Sequence, residues 1–101
     1  MHARVTTVEA SPAKLDEATH HVRQHILAEL QQMDGFQGFI ALGNRRSGEL
    51  LSMALWESEE VLRDTEEAAA RMRGGVAEAT GGTATVRSIE EYEVPILKIL
   101  S

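Results

Sequence analysis

Three of the four histidines stand close together, at positions 20, 21 and 25. His21 and His25 are four residues apart, a spacing at which two imidazoles on one helix can hold a single metal ion. No third ligand accompanies the pair, and many helices share this spacing by chance. We therefore expect solvated histidines and no metal site, with His25 kept as a candidate proton carrier at the rim of a pocket.

The only tryptophan, Trp56, stands where an apolar run meets an acidic run, in the segment LSMALWESEEVLRD. Ser52 and Ala54 precede it at alternate positions and have small side chains. On a strand all three share one face, which leaves space beside the indole for a flat hydrophobic molecule. Alternatively, Trp56 fills the end of the core and donates its N–H to a neighbouring carbonyl group. The two interpretations can coexist.

Cationic and phenolic side chains supply further candidates. Arg4 and Arg87 are predicted on neighbouring strands, where either one could hold a carboxylate or phenolate at a pocket mouth or pair with a glutamate across the sheet. Tyr92, the only tyrosine, could bind a ligand or lie in a dimer interface. The helix above the sheet would contribute three more wall residues, namely Leu62, Thr65 and Met72.

Several chemistries are excluded by composition. The chain has no cysteine, so disulfides, thiolate metal sites and cysteine nucleophiles are absent. Its net charge is −6, with sixteen acidic against ten basic residues, which argues against nucleic acid as a partner. No catalytic triad, dinucleotide-binding glycine motif or phosphate loop is recognisable. We therefore expect no cofactor.

Length and hydropathy bound the organisation of the chain. With 101 residues, of which 43% are hydrophobic, we expect one domain over residues 1–101. The N-terminus lacks the pattern of a secretory signal, and no stretch approaches the length of a membrane span. We expect a cytoplasmic protein that does not bind membranes.

A strand, a helix and a β-hairpin are predicted in the first half of the chain. Residues 3–9 are rich in β-branched types and predict a strand, and Ser11, just before a proline, predicts the N-cap of a helix. A helical apolar stripe covers 15–33, and Gly35 is the predicted C-cap. Residues 36–56 form two apolar runs around NRRSG, which is typical of a β-hairpin.

The second half repeats the order of helix and strand. Ser58 predicts the N-cap of a second helix, and the glycine pairs at 74–75 and 81–82 predict a break and a loop. A last strand is predicted over 83–94, followed by Pro95 and the apolar tail ILKIL. The order β-α-β-β-α-β is the pattern of a ferredoxin-like α+β sandwich with an antiparallel sheet.

Both faces of the predicted hairpin are apolar. On its first strand Phe36, Ile40 and Leu42 are predicted to face away from Phe39 and Ala41. Two helices cover only one face of a sheet, so an identical sheet is the simplest cover for the other. We expect a homodimer through sheet-to-sheet packing, with the ILKIL tail reaching towards the partner. The alternative is that short strands with small residues only look two-sided.

Two junctions between elements carry a family resemblance. In MDGFQGF (33–39) a helix ends in Gly-Phe and enters the second strand, and in LSMALWESEEVL (51–62) a strand ends in Trp-Glu-Ser and enters the second helix. Over residues 3–94 the chain resembles the antibiotic biosynthesis monooxygenase-like family of dimeric α/β-barrel proteins. The resemblance implies a ferredoxin-like protomer, a sheet-to-sheet dimer and a pocket between sheet and helices in each protomer.

The resemblance also bears on activity. Family members include oxygenases that use no metal or organic cofactor, and haem-degrading enzymes. The latter resemble this chain at Trp56, but the first strand has no asparagine and residues 58–73 have no histidine, so we do not expect haem degradation.

Two hypotheses of function remain. One is a cofactor-independent monooxygenase acting on a small aromatic or hydrophobic substrate, whose own carbanion reduces dioxygen. The other is a non-catalytic module for small-ligand binding or dimerisation. The resemblance favours the first hypothesis. The residues favour the second, because no polar group is clearly aimed into the pocket.

Overall fold

Four strands form one antiparallel sheet in the computed structural model, which describes residues 1–100. The strands are β1 (His2–Glu9), β2 (Phe36–Asn44), β3 (Glu49–Trp56) and β4 (Thr85–Glu93), in the spatial order β2-β3-β1-β4. The predicted ferredoxin-like β-α-β-β-α-β architecture is thereby confirmed. β4 is shorter at both ends than the predicted 83–94.

Three helical segments pack on one face of the sheet, which we call the inner face. Segment α1 (residues 12–30) is continuous but not uniform. It comprises a 3-10 turn Pro12–Lys14, an α-helix Leu15–His21, a π-helical turn Val22–Ile26 and an α-helical turn Leu27–Leu30. Helices α2 (Glu59–Asp64) and α3 (Glu66–Ala79) follow β3.

The ends of α1 differ from the prediction. Ser11 has the extended backbone of an N-cap, but its side chain makes no capping hydrogen bond. The segment ends at Leu30 instead of near Gly35, because Gln32 and Met33 donate to carbonyl groups only three residues back. Gly35, with φ of 83°, lies in the loop to β2, where its carbonyl accepts from the Glu57 backbone N–H at 2.8 Å.

The predicted helix break at residues 74–75 is wrong, because α3 continues through both glycines. The break lies instead at Thr65, between α2 and α3. There the Leu62 carbonyl accepts from the Thr65 hydroxyl at 2.6 Å and from the Arg4 guanidinium at 2.9 Å. Arg4 from β1 therefore donates to a carbonyl group in the last turn of α2, where a helix leaves carbonyl groups without their usual partners. The glycines of α3 do not end that helix.

The second predicted helix cap is present. Ser58 has extended backbone geometry, and its hydroxyl accepts from the Val61 N–H at 3.2 Å. Glu59 and Glu60 lie in the first turn of α2, near the positive end of the helix dipole. The corner after Trp56 is thus shaped by the local sequence.

The inner face also differs from the prediction at Phe36. The pairing of β2 with β3 shifts register between Phe36 and Gly38, which places Phe36 opposite Trp56. Their rings meet edge to face with centroids 5.5 Å apart, and Phe39 packs against the same cluster. The prediction that Phe36 faces away from Phe39 is therefore wrong, because a single irregular residue reverses the alternation of side chains.

Gly48 fixes how the β2-β3 hairpin meets the start of α1. Its φ is 81°, its N–H donates to the Asn44 carbonyl at 2.8 Å, and its carbonyl accepts from the Ala10 N–H at 2.9 Å. A β-carbon at this position would lie 2.0 Å from the Ala10 carbonyl oxygen. Only glycine fits there without moving backbone.

Gly48→Ala is expected to lower the free energy of unfolding by about 1–3 kcal/mol, because positive φ and the backbone clash act together. Gly74→Ala is the matched control, since a β-carbon added there in α3 meets no atom of residues 1–100 within 4 Å apart from those of its chain neighbours and the helix backbone. It is expected to raise stability by about 0.5–1 kcal/mol. Urea unfolding followed by Trp56 fluorescence measures both changes, and equal midpoints for the two variants would contradict the argument.

Candidate functional site

A cavity of about 70 Å³ lies between the inner face of the sheet and the helices. Strands β1, β2 and β3 form its floor, and residues of α1 and α3 form its roof. Val22 and Ile26, the first and last residues of the π-helical turn, are part of that roof. The small side chains of Ser52 and Ala54 lie on the floor next to Trp56. The residues predicted to leave room beside the indole therefore do line a cavity.

Six of the ten residues named from the sequence come together in this wall. They are Arg4, Ser52, Ala54, Trp56, Thr65 and Met72. Leu62 does not line the cavity, although it is fully buried and packs against Trp56 and Leu30 in the adjoining core cluster.

Arg87 and Tyr92 lie outside the cavity. The Arg87 Nε is 3.1 Å from a Glu9 carboxylate oxygen. This arginine therefore pairs with a glutamate across the sheet, which was the predicted alternative to holding a ligand anion. The Tyr92 hydroxyl donates to Glu90 at 3.0 Å on the outer face of the sheet, and the side chain is 50% exposed. This contact raises the pKa of Tyr92, because the carboxylate disfavours the phenolate.

The histidines are also separate from the cavity. The His21 and His25 rings are 4.9 Å apart on the outside of α1, and the His21 Nε2 would lie 3.0 Å from a β-carbon placed on Gly75. Partial burial and then the neighbouring His25 lower the pKa of His21, against the opposing effect of Glu78. Among residues 1–100, no group of three or more His, Cys, Asp or Glu side chains is placed to hold a metal ion.

Unpaired hydrogen-bond donors are the most informative feature of the cavity wall. Trp56 Nε1, Arg4 Nε and Arg73 Nη1 are buried and have no acceptor within residues 1–100. All three side chains line the cavity. An unsatisfied buried donor costs about 1–3 kcal/mol, so a ligand oxygen that accepts from these groups is favoured. A carbonyl acceptor for the indole N–H, as in the core-filling alternative, is not found among the described residues.

Arg4 is held in place on its far side. Its Nη1 donates to the Thr65 hydroxyl at 2.9 Å, and its Nη2 donates to the Leu62 carbonyl at 2.9 Å and to Glu66 at 2.8 Å. The side chain is only 4% exposed. In the register of the sheet Arg4 pairs with Ala54, so it is the diagonal neighbour of Trp56 on the inner face. The guanidinium is therefore fixed, and Nε is its one nitrogen that has no acceptor among residues 1–100.

Arg73 is the functional candidate that sequence reasoning missed. It lies on α3 beside Met72, and both residues line the cavity together with Val76. Met72 was predicted as a wall residue and Arg73 was not, because the prediction counted only the apolar stripe of this helix. Arg73 follows Ala69 by four residues and so lies at the edge of that stripe, which was the available signal.

Comparison with known proteins gives relatives of unknown role. No family model matches the chain. The chain is 35% identical over 97 residues to the uncharacterized protein Rv2558 of Mycobacterium tuberculosis H37Rv, covering 96% of this chain and 40% of that protein. It is 35% identical over 94 residues to the uncharacterized protein Rv2557, covering 93% and 41%. The chain thus spans about two fifths of the length of the curated relatives that it matches.

Solved structures share the fold over nearly the whole chain. A candidate antibiotic biosynthesis monooxygenase from Deinococcus radiodurans superposes with a TM-score of 0.73 at 18% identity, covering 100% of both chains. The monooxygenase ActVA-Orf6 of Streptomyces coelicolor, solved with the ligand nanaomycin D, gives 0.68 at 16% identity, covering 97% and 92%. SnoaB of Streptomyces nogalater, a cofactor-independent oxygenase, gives 0.65 at 15% identity, covering 95% and 94%.

Proposed function

The chain has the fold of antibiotic biosynthesis monooxygenase-like proteins, and from this premise we propose that it is a cofactor-independent monooxygenase acting on a small aromatic substrate. One observation carries the proposal. Among residues 1–100, the buried indole N–H of Trp56 and the Nε–H of Arg4 have no acceptor, and both lie at the wall of one apolar cavity. Two fixed donors in an apolar cavity suit an oxygen atom on which negative charge develops.

The size of the cavity limits the substrate. A volume of about 70 Å³ is well below the roughly 300–1,000 Å³ of pockets for drug-sized ligands. Met33 and Met72 are unbranched and can rotate to enlarge it. We infer that the substrate is a single aromatic ring with an oxygen substituent, such as a 1,4-quinol.

The reaction balances without an external reductant. In its keto tautomer the quinol carries two hydrogens on a ring carbon, and loss of one as a proton leaves a carbanion. The carbanion gives its electrons to dioxygen, a C–O bond forms, and protonation yields a hydroperoxide. Loss of water breaks the O–O bond and leaves a carbonyl group. The quinol and O₂ thus become a hydroxyquinone and water, with all four electrons supplied by the substrate.

The protein's part in this chemistry is to bind and stabilise the anion. Arg4 and Trp56 hold the oxygen conjugated with the carbanion, and the apolar wall excludes water. No His, Tyr, Asp or Glu side chain among residues 1–100 lines the cavity. The quinol therefore loses its proton to solvent before it enters the cavity, and the rate is expected to rise with pH as more of the quinol ionises.

Oxygen consumption with a one-ring quinol tests the proposal. Trp56→Phe retains an aromatic ring of smaller volume and removes the indole N–H, so it is expected to lower kcat by about 100-fold or more. Isotope-labelled dioxygen is expected to place one labelled atom in the product. Oxygen uptake no faster than in protein-free buffer, or equal in wild type and Trp56→Phe, would refute the assignment.

The second candidate is a non-catalytic binding module of the same fold. It is favoured by the same lack of a general base at the cavity wall. This alternative predicts that a quinol quenches Trp56 fluorescence saturably while oxygen uptake stays at the level of protein-free buffer.

We also propose that the functional unit is a homodimer joined through the outer face of the sheet. On that face Ile40, Leu42 and Tyr92 are 37%, 52% and 50% exposed. In the tail, Ile96 and Ile99 are 83% and 72% exposed. A second sheet would remove this apolar surface from water.

Sedimentation tests the dimer. A dimer is expected at micromolar concentration, and Leu42→Glu is expected to give monomers because it buries a charge between the sheets. Ser47→Glu, in the exposed hairpin turn, is the control and is expected to stay dimeric. A monomeric wild type would refute the proposal.

A further inference from the structure

We propose that Arg73 makes the cavity selective for a ligand with a single negative charge, namely an aromatic ring carrying one phenolate or carboxylate. The inference rests on the proposed function in one respect, which is that the cavity holds a ligand. It adds the charge of that ligand and the residue that selects it.

The charges around the cavity do not balance. Arg4 is paired, since its Nη2 lies 2.8 Å from a Glu66 carboxylate oxygen. Arg73 forms no ion pair with any residue in the range 1–100. No acidic side chain from that range lines the cavity either. The cavity wall thus carries one uncompensated positive charge.

Partial burial makes this charge selective. The Arg73 side chain is half-buried, and its Nη1 is buried with no hydrogen-bond acceptor among residues 1–100. A cation partly removed from water without a partner is unfavourable, and a neutral ligand oxygen would satisfy the hydrogen bond but not the charge. A monoanion does both. A dianion would exceed the charge available, because Glu66 already neutralises Arg4.

The chain offers a matched control on the same helix. Arg71 lies two residues before Arg73 on α3, but it is 65% exposed and donates to both carboxylate oxygens of Glu29, at 3.0 and 2.7 Å. It does not line the cavity. Arg71→Gln and Arg73→Gln remove the same charge from nearby positions on one helix, so the general effect of a lost positive charge is the same in both variants.

Equilibrium titrations with benzoate and benzamide, which have nearly the same shape and differ in charge, test the inference. Trp56, the only tryptophan and part of the cavity wall, reports binding by its fluorescence. Wild-type protein is expected to bind benzoate about tenfold or more tightly than benzamide. Arg73→Gln is expected to weaken benzoate about 10–100-fold, the loss of one charged hydrogen bond, and to leave benzamide nearly unchanged.

Two further variants complete the experiment. Arg71→Gln is expected to change both affinities less than about twofold, because a surface charge is screened. Arg73→Lys is expected to restore part of the preference for benzoate, since it keeps the charge and loses the planar donor pair. Thermal unfolding of Arg73→Gln and Arg71→Gln verifies that both variants are folded.

The outcomes separate this inference from the proposed function. Equal affinity for the two probes, no binding of either, or an Arg73→Gln effect no larger than that of Arg71→Gln would overturn the inference. If benzoate is preferred through Arg73 while no quinol is oxidised, the monooxygenase proposal fails and the anion site stands. If quinol oxidation depends on Trp56 while the two probes bind equally, the anion-site inference fails and the monooxygenase proposal stands.

Discussion

Replacing Trp56 with alanine is expected to lower the free energy of unfolding by about 3–5 kcal/mol, the cost of removing a large buried aromatic side chain. The indole is fully buried and packs in one cluster with Leu30 and Leu62. A domain of this kind has a total stability of about 5–15 kcal/mol, so the variant is expected to be close to unfolding. Because the only tryptophan is lost, urea unfolding has to be followed by circular dichroism.

Trp56→Phe is the control for this prediction. It keeps an aromatic ring against Phe36 and removes a buried N–H that has no acceptor among residues 1–100. The expected loss is below about 2 kcal/mol, because part of the volume is retained and an unsatisfied donor disappears. If Trp56→Ala cost no more than Trp56→Phe, the indole would not be part of the core. The pair also separates the packing role of the ring from its proposed role in binding.

Arg4→Met is expected to lower the free energy of unfolding by about 2–4 kcal/mol. Its guanidinium donates to Thr65, to the Leu62 carbonyl and to Glu66, and hydrogen bonds that involve a charged group contribute about 1.5–3 kcal/mol each. Methionine keeps much of the apolar length and none of the donors. A shift of the urea midpoint without a change in the slope of the transition would identify this as a loss of native-state stability.

Arg87→Met is the matched control for Arg4→Met. Arg87 lies on the neighbouring strand, is 61% exposed and pairs with Glu9 at the surface. Surface ion pairs contribute little, so the midpoint is expected to stay nearly unchanged. Equal shifts for the two variants would show that the contacts of Arg4 with the α2–α3 junction do not stabilise the fold. In activity assays Arg4→Met is expected to reduce quinol oxidation, whereas Arg87→Met is not.

The elements themselves could be predicted from local patterns. The hairpin followed from two apolar runs around Asn44 and Gly48, and the start of α2 followed from Ser58, whose hydroxyl does cap the helix. These features are local, because a turn or a cap is decided by residues within one or two turns of each other. Placing Ser52, Ala54 and Trp56 on one face needed only the alternation of a strand.

The errors fell where distant residues decide the local structure. The helix break lies at Thr65 because Arg4, sixty-one positions earlier, donates to its hydroxyl and to the Leu62 carbonyl. Phe36 turned to the inner face because the pairing of β2 with β3 shifts register by one residue. His25 was expected to be solvated but was kept as a candidate for the pocket rim, and the direction in which α1 packs places it outside the cavity.

The sequence by itself determined the order of strands and helices, the small residues beside Trp56 and the absence of cysteine chemistry. Only the tertiary structure decided which cations meet at the cavity. Arg4 is paired by Glu66, whereas Arg73 forms no ion pair with any of residues 1–100. The physical reason is that periodicity fixes the face on which a side chain lies, whereas hydrogen-bond and charge partners depend on packing between elements distant in the chain.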